Sequence, residues 1–235
     1  MSLDIIKHKN ILLQILKDIY TDSLLGPVLG FKGGTAAYLF YNLERFSVDL
    51  DFDLLDASQV EGVFAKIQTI CEKYGVVKKA TDKRNTIFIL LSYGEQAHNV
   101  KVEINKRNFR SKYELKNYLG IPMQVMVKRD MFAHKLVAMT ERNQLTNRDL
   151  FDVWFFLKNN WDINTRVVEG RTGMKFTEYL EKCISFVNKI PSRGILSGIG
   201  ELLDNKQKGW VKSKLKDDLL FLLKVLLEDE TKKQF

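Results

Sequence analysis

The stretch Phe31-Lys32-Gly33-Gly34-Thr35-Ala36, followed by Val48-Asp49-Leu50-Asp51-Phe52-Asp53-Leu54, decides how this chain is read. An apolar run, Val28-Leu29-Gly30-Phe31, leads into the Gly-Gly-Thr corner, and a helix-like run leaves it. The second segment alternates apolar and acidic residues, the signature of a strand. Successive side chains in a strand point to opposite faces, so Asp49 and Asp51 share one face. Val48, Leu50, Phe52 and Leu54 point the other way, into a core. Paired carboxylates repel each other unless a cation sits between them. Hard oxygen ligands suit Mg²⁺, which binds one or two carboxylates together with substrate phosphates. A glycine corner at a helix start offers backbone N–H groups and a positive dipole end to those phosphates. The two segments together predict a nucleoside triphosphate–metal site.

The plain alternatives are a solvated acidic strand face and an ordinary strand-to-helix turn with Thr35 as its cap. Acidic residues are poor strand formers. Three in alternation are costly without a cation, which favours the metal reading for Asp49 and Asp51. Asp53 lies on the same face, one step further, and ranks below them.

The wording narrows further. Phe31 to Ala36, Arg45-Phe46-Ser47-Val48-Asp49-Leu50-Asp51-Phe52 and Arg148-Asp149-Leu150-Phe151-Asp152 together resemble the AbiEii-like nucleotidyltransferase toxin family of the DNA polymerase β-like superfamily. The resemblance spans about residues 25 to 160. It implies an α/β (α+β) fold: a nucleotidyltransferase mixed sheet with flanking helices, followed by a helical C-terminal domain. It also implies a Mg²⁺- or Mn²⁺-dependent transfer of NMP from NTP to a hydroxyl. The implied acceptor is RNA, such as a tRNA end, and the implied role is that of a toxin with a cognate antitoxin or in phage defence. Transfer to a small molecule, as in aminoglycoside nucleotidyltransferases, is the alternative enzyme. A non-catalytic NTP- or RNA-binding regulator is the alternative of another class.

Gly33, Gly34 and Thr35 are expected to hold the triphosphate, with the Thr35 hydroxyl donating to a phosphate oxygen. Glu103 lies in the alternating strand Val100-Lys101-Val102-Glu103-Ile104. In the superfamily a third carboxylate from a neighbouring strand completes the metal site and accepts the proton of the attacking hydroxyl. Lys101 shares the face of Glu103, so an ion pair is the plain alternative. Lys135 shares sevenfold spacing with Lys128 and Arg142, which predicts one basic stripe on a helix. The resemblance directs Lys135 at the nucleotide phosphates. Asp149 and Asp152 are i,i+3 neighbours, and one of them is expected to orient Lys135 or a substrate hydroxyl. The plain alternative has Asp149 as a cap and Asp152 paired with Arg148.

Composition agrees with a globular protein. The 235 residues are 45% apolar, enough for a sizeable core. Pattern and breakers divide the chain into residues 1–127, an α/β part, and 128–235, a helical part. The net charge of +8 suits a polyanion partner as well as it suits mere solubility. No run approaches the ~20 apolar residues of a membrane span. Two cysteines without a CxxC pattern point to reduced thiols and the cytoplasm. The histidines His8, His98 and His134 form no zinc spacing.

Overall fold

The computed structural model describes residues 3–94, 98–141 and 146–233. The chain divides into two compact units, Met1–Val127 and Lys128–Phe235. The first holds a seven-stranded mixed sheet of order β3-β4-β5-β2-β1-β7-β6. Its strands are β1 (Leu29–Lys32), β2 (Leu50–Leu54), β3 (Val76–Lys83), β4 (Thr86–Ser92), β5 (Val100–Asn105), β6 (Tyr113–Tyr118) and β7 (Ile121–Met126). β1 runs antiparallel to β2 and parallel to β7, and β2 runs parallel to β5.

The period-2 pattern gives the sheet one apolar face. Phe31, Leu50, Phe52, Val102 and Ile104 are all fully buried on it. Helix α1 (Ile5–Thr21) covers part of that face. The ring of Tyr20 on α1 lies 6.4 Å from Phe52, which lies 5.3 Å from Phe31. Helix α4 (Val60–Glu72) buries Val63, Ile67 and Cys71 against β3 and β4. A four-residue helix, α2 (Leu25–Val28), precedes β1. β6 and β7 pair as a hairpin. Leu119 and Gly120 form its turn at φ 51° and 83°, the two positive values that match the twist of flanking strands.

Helix α3 (Gly33–Tyr41) takes in the Gly-Gly-Thr corner, with both glycines inside its first turn. Asn42, at φ 59°, ends it in the left-handed conformation.

Strand β2 begins at Leu50 rather than at the expected Val48. The preceding carbonyls are taken by side chains. His8 Nε2–H donates to the Val48 carbonyl over 2.9 Å, and the Thr35 hydroxyl donates to the Asp49 carbonyl. Tyr93 donates its hydroxyl to His8 Nδ1 over 2.7 Å. Burial pushes the His8 pKa below its ordinary value, and the Val48 hydrogen bond opposes this less strongly. His8 is therefore a buried clamp on the segment that carries Asp49.

The second unit is helical: α5 (Lys128–Glu141), α6 (Asn147–Lys158), α7 (Thr165–Thr172), α8 (Phe176–Lys189), α9 (Asn205–Ser213) and α10 (Leu215–Lys232). α6 and α8 both pack on α10. Trp154, Phe155 and Phe156 are buried, with Trp154 4.0 Å from Trp210 and Phe156 stacked at 4.1 Å on Trp161. Cys71 and Cys183 are free, buried thiols, each pushed up to about 12 by burial.

Candidate active site

The Gly-Gly corner is shaped by what stands over it. Gly33 has φ +79°, and a Cβ there would lie 2.5 Å from Asp51 Oδ2. A Cβ on Gly34 would meet Ser47 Oγ at 2.7 Å and Arg45 Nη2 at 2.9 Å. The glycines thus bring the start of α3 against Asp51 and against the segment leading into β2. At the N-cap position Lys32 makes no side-chain capping bond, so the first N–H groups of α3 are not satisfied by it. Thr35 is buried, and its single hydroxyl proton goes to the Asp49 carbonyl. In this arrangement it ties the helix start to the acidic segment.

The parallel pairing of β2 with β5 sets Asp51 directly beside Glu103. Asp49, Asp51 and Glu103 are all half-buried. The ammonium of Lys101 stands among them, 3.6 Å from Asp49 Oδ2 and 3.4 Å from Glu103 Oε2. Burial lowers the Lys101 pKa, but the charges of Asp51, Asp49 and Glu103 outweigh it and raise the group above the ordinary lysine value. The three predicted ligands are therefore neighbours around a shared cation, and not a preformed cage. Among the described residues no three His, Cys, Asp or Glu side chains stand at metal-ligand spacing. Hard carboxylate oxygens that already attract one cation nonetheless fit Mg²⁺ or Mn²⁺ chemically.

Asp53 is in different surroundings. It is buried, with Lys32 Nζ at 2.5 Å, Asn105 Nδ2 at 2.7 Å and the Tyr113 hydroxyl at 2.5 Å. Burial raises its pKa, while the Lys32 charge and the three hydrogen bonds hold it below the usual carboxylate range. Both oxygens are engaged, so this carboxylate serves the fold. Tyr113 reaches it by crossing Gly30, where a Cβ would collide with the tyrosine ring.

In the second unit Lys135 is not on a solvated stripe. Its Nζ lies 2.7 Å from Asp149 Oδ1 and 2.9 Å from Asp152 Oδ2, bridging α5 to α6. Lys128 turns elsewhere, its ammonium 5.2 Å from the centre of the Trp161 ring. Arg142 lies outside the described residues. The sevenfold spacing sets Lys128 and Lys135 on one side of α5, but their ammonium groups take different partners. The lysine and both aspartates are brought together. His134 accepts from the Arg171 guanidinium over 2.8 Å and belongs to the helical packing.

Arg45 and Lys101 carry more of the first site than their sequence context suggested. Arg45 is buried beside Gly34, donating to the Phe46 carbonyl over 2.9 Å. Its place just before Ser-x-Asp-x-Asp was the signal.

A family model described as the nucleotidyl transferase AbiEii toxin of type IV toxin–antitoxin systems matches residues 14–215. The chain belongs to the AbiEii nucleotidyltransferase toxin family. No curated protein matches it by sequence. Among solved structures, a nucleotidyltransferase candidate from Helicobacter pylori is similar at 19% identity and a TM-score of 0.66, covering 100% of this chain and 99% of that one. The Helicobacter pylori protein JHP933 is similar at 20% identity and a TM-score of 0.63, covering 100% and 96%. At these identities the likeness concerns the fold. This AbiEii chain is thus a transferase of the nucleotidyl class with the mixed α/β architecture expected for it. Among its described residues no helix is long and apolar enough to cross a membrane.

Proposed function

We propose that this AbiEii chain transfers a nucleoside monophosphate from NTP to a hydroxyl of RNA, such as a tRNA end, with Mg²⁺ or Mn²⁺ held by Asp49, Asp51 and Glu103. The observation that carries this reading is the three-carboxylate cluster set against the glycine corner at the start of α3. When bound, the divalent cation supplies charge neutralisation at the attacking and leaving oxygens.

The chain's own residues do the rest. Backbone N–H groups of Gly33 and Gly34 receive the anionic end of the triphosphate at a helix N-terminus. Thr35 and His8 hold the Asp49 backbone from two sides, fixing the direction in which its carboxylate points. Glu103 accepts the proton of the acceptor hydroxyl. The hydroxyl oxygen forms the new bond to the α-phosphorus, the bond to the bridging oxygen breaks, and pyrophosphate leaves. By the family resemblance Lys135, its ammonium oriented by Asp149 and Asp152, is a point charge suited to phosphate. A basic chain of net charge +8 supports a polyanionic acceptor. A toxin role with a cognate antitoxin, in the cytoplasm, completes the reading and is supported by family membership.

The test incubates the purified chain with labelled NTP, total RNA and Mg²⁺ or Mn²⁺. Label in a discrete RNA band, lost on adding a chelator, is the expected result. Label in a small molecule would remove the RNA acceptor, and label in neither would remove the transferase reading.

A further inference from the structure

The carboxylate cluster contains a cation of its own. Lys101 precedes Glu103 by two residues on β5, so both side chains leave the same strand face. The Lys101 side chain is 28% exposed, mostly inside the protein. Its ammonium lies 3.4 and 3.6 Å from oxygens of Glu103 and Asp49, and the charge of Asp51 acts on it as well. These separations exceed the roughly 2.7–2.9 Å of a tight charge-assisted hydrogen bond. The other lysine–carboxylate cluster, at Lys135, has contacts of 2.7 and 2.9 Å. Lys101 is therefore held by the summed field of three carboxylates, together with one long hydrogen bond to Glu103.

Such a lysine meets a divalent cation as a competitor. Mg²⁺ takes carboxylate oxygens at about 2.0–2.1 Å. It would draw on the same Asp49 and Glu103 oxygens that now face the ammonium. Two cations sharing those oxygens would repel each other across a few ångströms in a partly desolvated site. One of them yields, and the ammonium sits on a flexible four-carbon stem that lets it move.

We propose that Lys101 is the resident cation of the Asp49–Asp51–Glu103 cluster, holding the carboxylates together in the metal-free protein and giving up its place to the divalent ion. The inference rests on the metal site proposed above. Its consequence is a threshold. Without nucleotide, the divalent ion must displace a tethered charge and binds weakly. With NTP, the phosphates add negative charge to the site, and the displaced ammonium regains a counter-charge. Metal and nucleotide then enter together, and the lysine sets how strongly each depends on the other.

The experiment is a Mn²⁺ titration of the full chain, stripped with chelator and free of nucleotide, following the spectroscopic signal of free Mn²⁺. Lys101→Met should bind Mn²⁺ about tenfold more tightly or better, since a unit charge a few ångströms away is removed. Lys101→Arg, which keeps the charge, should stay close to wild type. In chelator, Lys101→Met should melt below wild type, and Mn²⁺ should raise its melting temperature more than it raises that of wild type. Lys101→Gln gives the same comparison if the methionine variant does not fold in chelator. Unchanged or weaker Mn²⁺ binding in the neutral variants would overturn the role of Lys101. Asp51→Asn in the same titration separates the causes. Binding lost there but not gained in Lys101→Met rejects Lys101 alone. Binding unaffected in Asp51→Asn rejects the metal site, and the inference with it.

Discussion

Two clusters in this chain are built from the same parts, aspartate or glutamate around one lysine, and differ in what they leave unsatisfied. Around Lys101, three half-buried carboxylates face one ammonium at 3.4 Å or more. Around Lys135, two carboxylates with side-chain exposures of 2% and 0% hold one ammonium at 2.7 and 2.9 Å. The first is within reach of water, and its carboxylates attract positive charge. The second is closed and short-bonded, and it fixes the position of its lysine. The same ion-pair chemistry leaves one cluster open and loosely bonded and makes the other a buried, short-bonded link between α5 and α6.

The largest expected effect separates the two outright. Asp49→Ala should cut nucleotidyl transfer by orders of magnitude, as when a group stabilising transition-state charge is removed. If the chain is toxic when expressed in bacteria, the same variant should restore growth. Soluble Asp49→Ala protein that still transfers nucleotide would leave the open cluster without its assigned role.

Next comes Lys135→Ala. It leaves two buried carboxylates without their shared partner, and breaking a buried pair in this way costs about 3–5 kcal/mol. A melting curve should show a large loss, with NTP binding weakened where the variant remains folded. A variant that melts like wild type would mean that the buried cluster is not an anchor. It would then resemble the open one in depending on solvent.

Gly33→Ala should be smaller but informative. The positive φ costs an L-residue about 1–2 kcal/mol, and the new methyl would press on Asp51. Transfer should fall more than stability does, because the displaced group is a site carboxylate. Equal losses of both would mark the glycine as a fold residue only.

The smallest expected effect is a pH dependence at His8. Its folded pKa lies below the unfolded value, so the unfolded chain binds the proton more readily. His8 therefore contributes full stability above about pH 6.5 and loses it as pH falls towards the folded pKa. Comparing wild type with His8→Gln by denaturant unfolding at pH 7.5 and 5.5 should show an extra acid loss of about 1 kcal/mol or less in wild type. A constant difference between the two proteins would show that His8 does not titrate as a buried clamp.

Much of the open cluster was legible because strand period and pairing carry it. Asp51 and Glu103 lie on alternating strands, and alternation alone places each on a face opposite to Phe52 and Ile104. What alternation could not supply is the register that puts Asp51 beside Glu103, or the cation between them. Those depend on a parallel pairing between distant segments. The buried cluster was read less well. Helical spacing suggested a basic stripe through Lys135, yet periodicity says nothing about a partner helix carrying Asp149 and Asp152. Helices α7 and α9 carry little sequence signal for a related reason. Thr165–Thr172 and Asn205–Ser213 are short, polar and interrupted by Gly170 and Gly209, so they show little apolar period. The capping box of Asp204 and Gln207 was the available signal for α9. Domain-scale pattern was clearer than local pattern, since the change from strands to helices near residue 127 is abrupt.

The most direct measurement places the same substitution at two carboxylates on one strand face. Asp51 and Asp53 are two residues apart on β2, one facing Lys101 and Glu103, the other enclosed by Lys32, Asn105 and Tyr113. Transfer from labelled NTP and thermal melting are followed for Asp51→Asn and Asp53→Asn. The account predicts that Asp51→Asn loses transfer by orders of magnitude and keeps its melting temperature, whereas Asp53→Asn loses stability and retains transfer while folded. Full transfer in folded Asp51→Asn would contradict the assignment of the open cluster as the catalytic site.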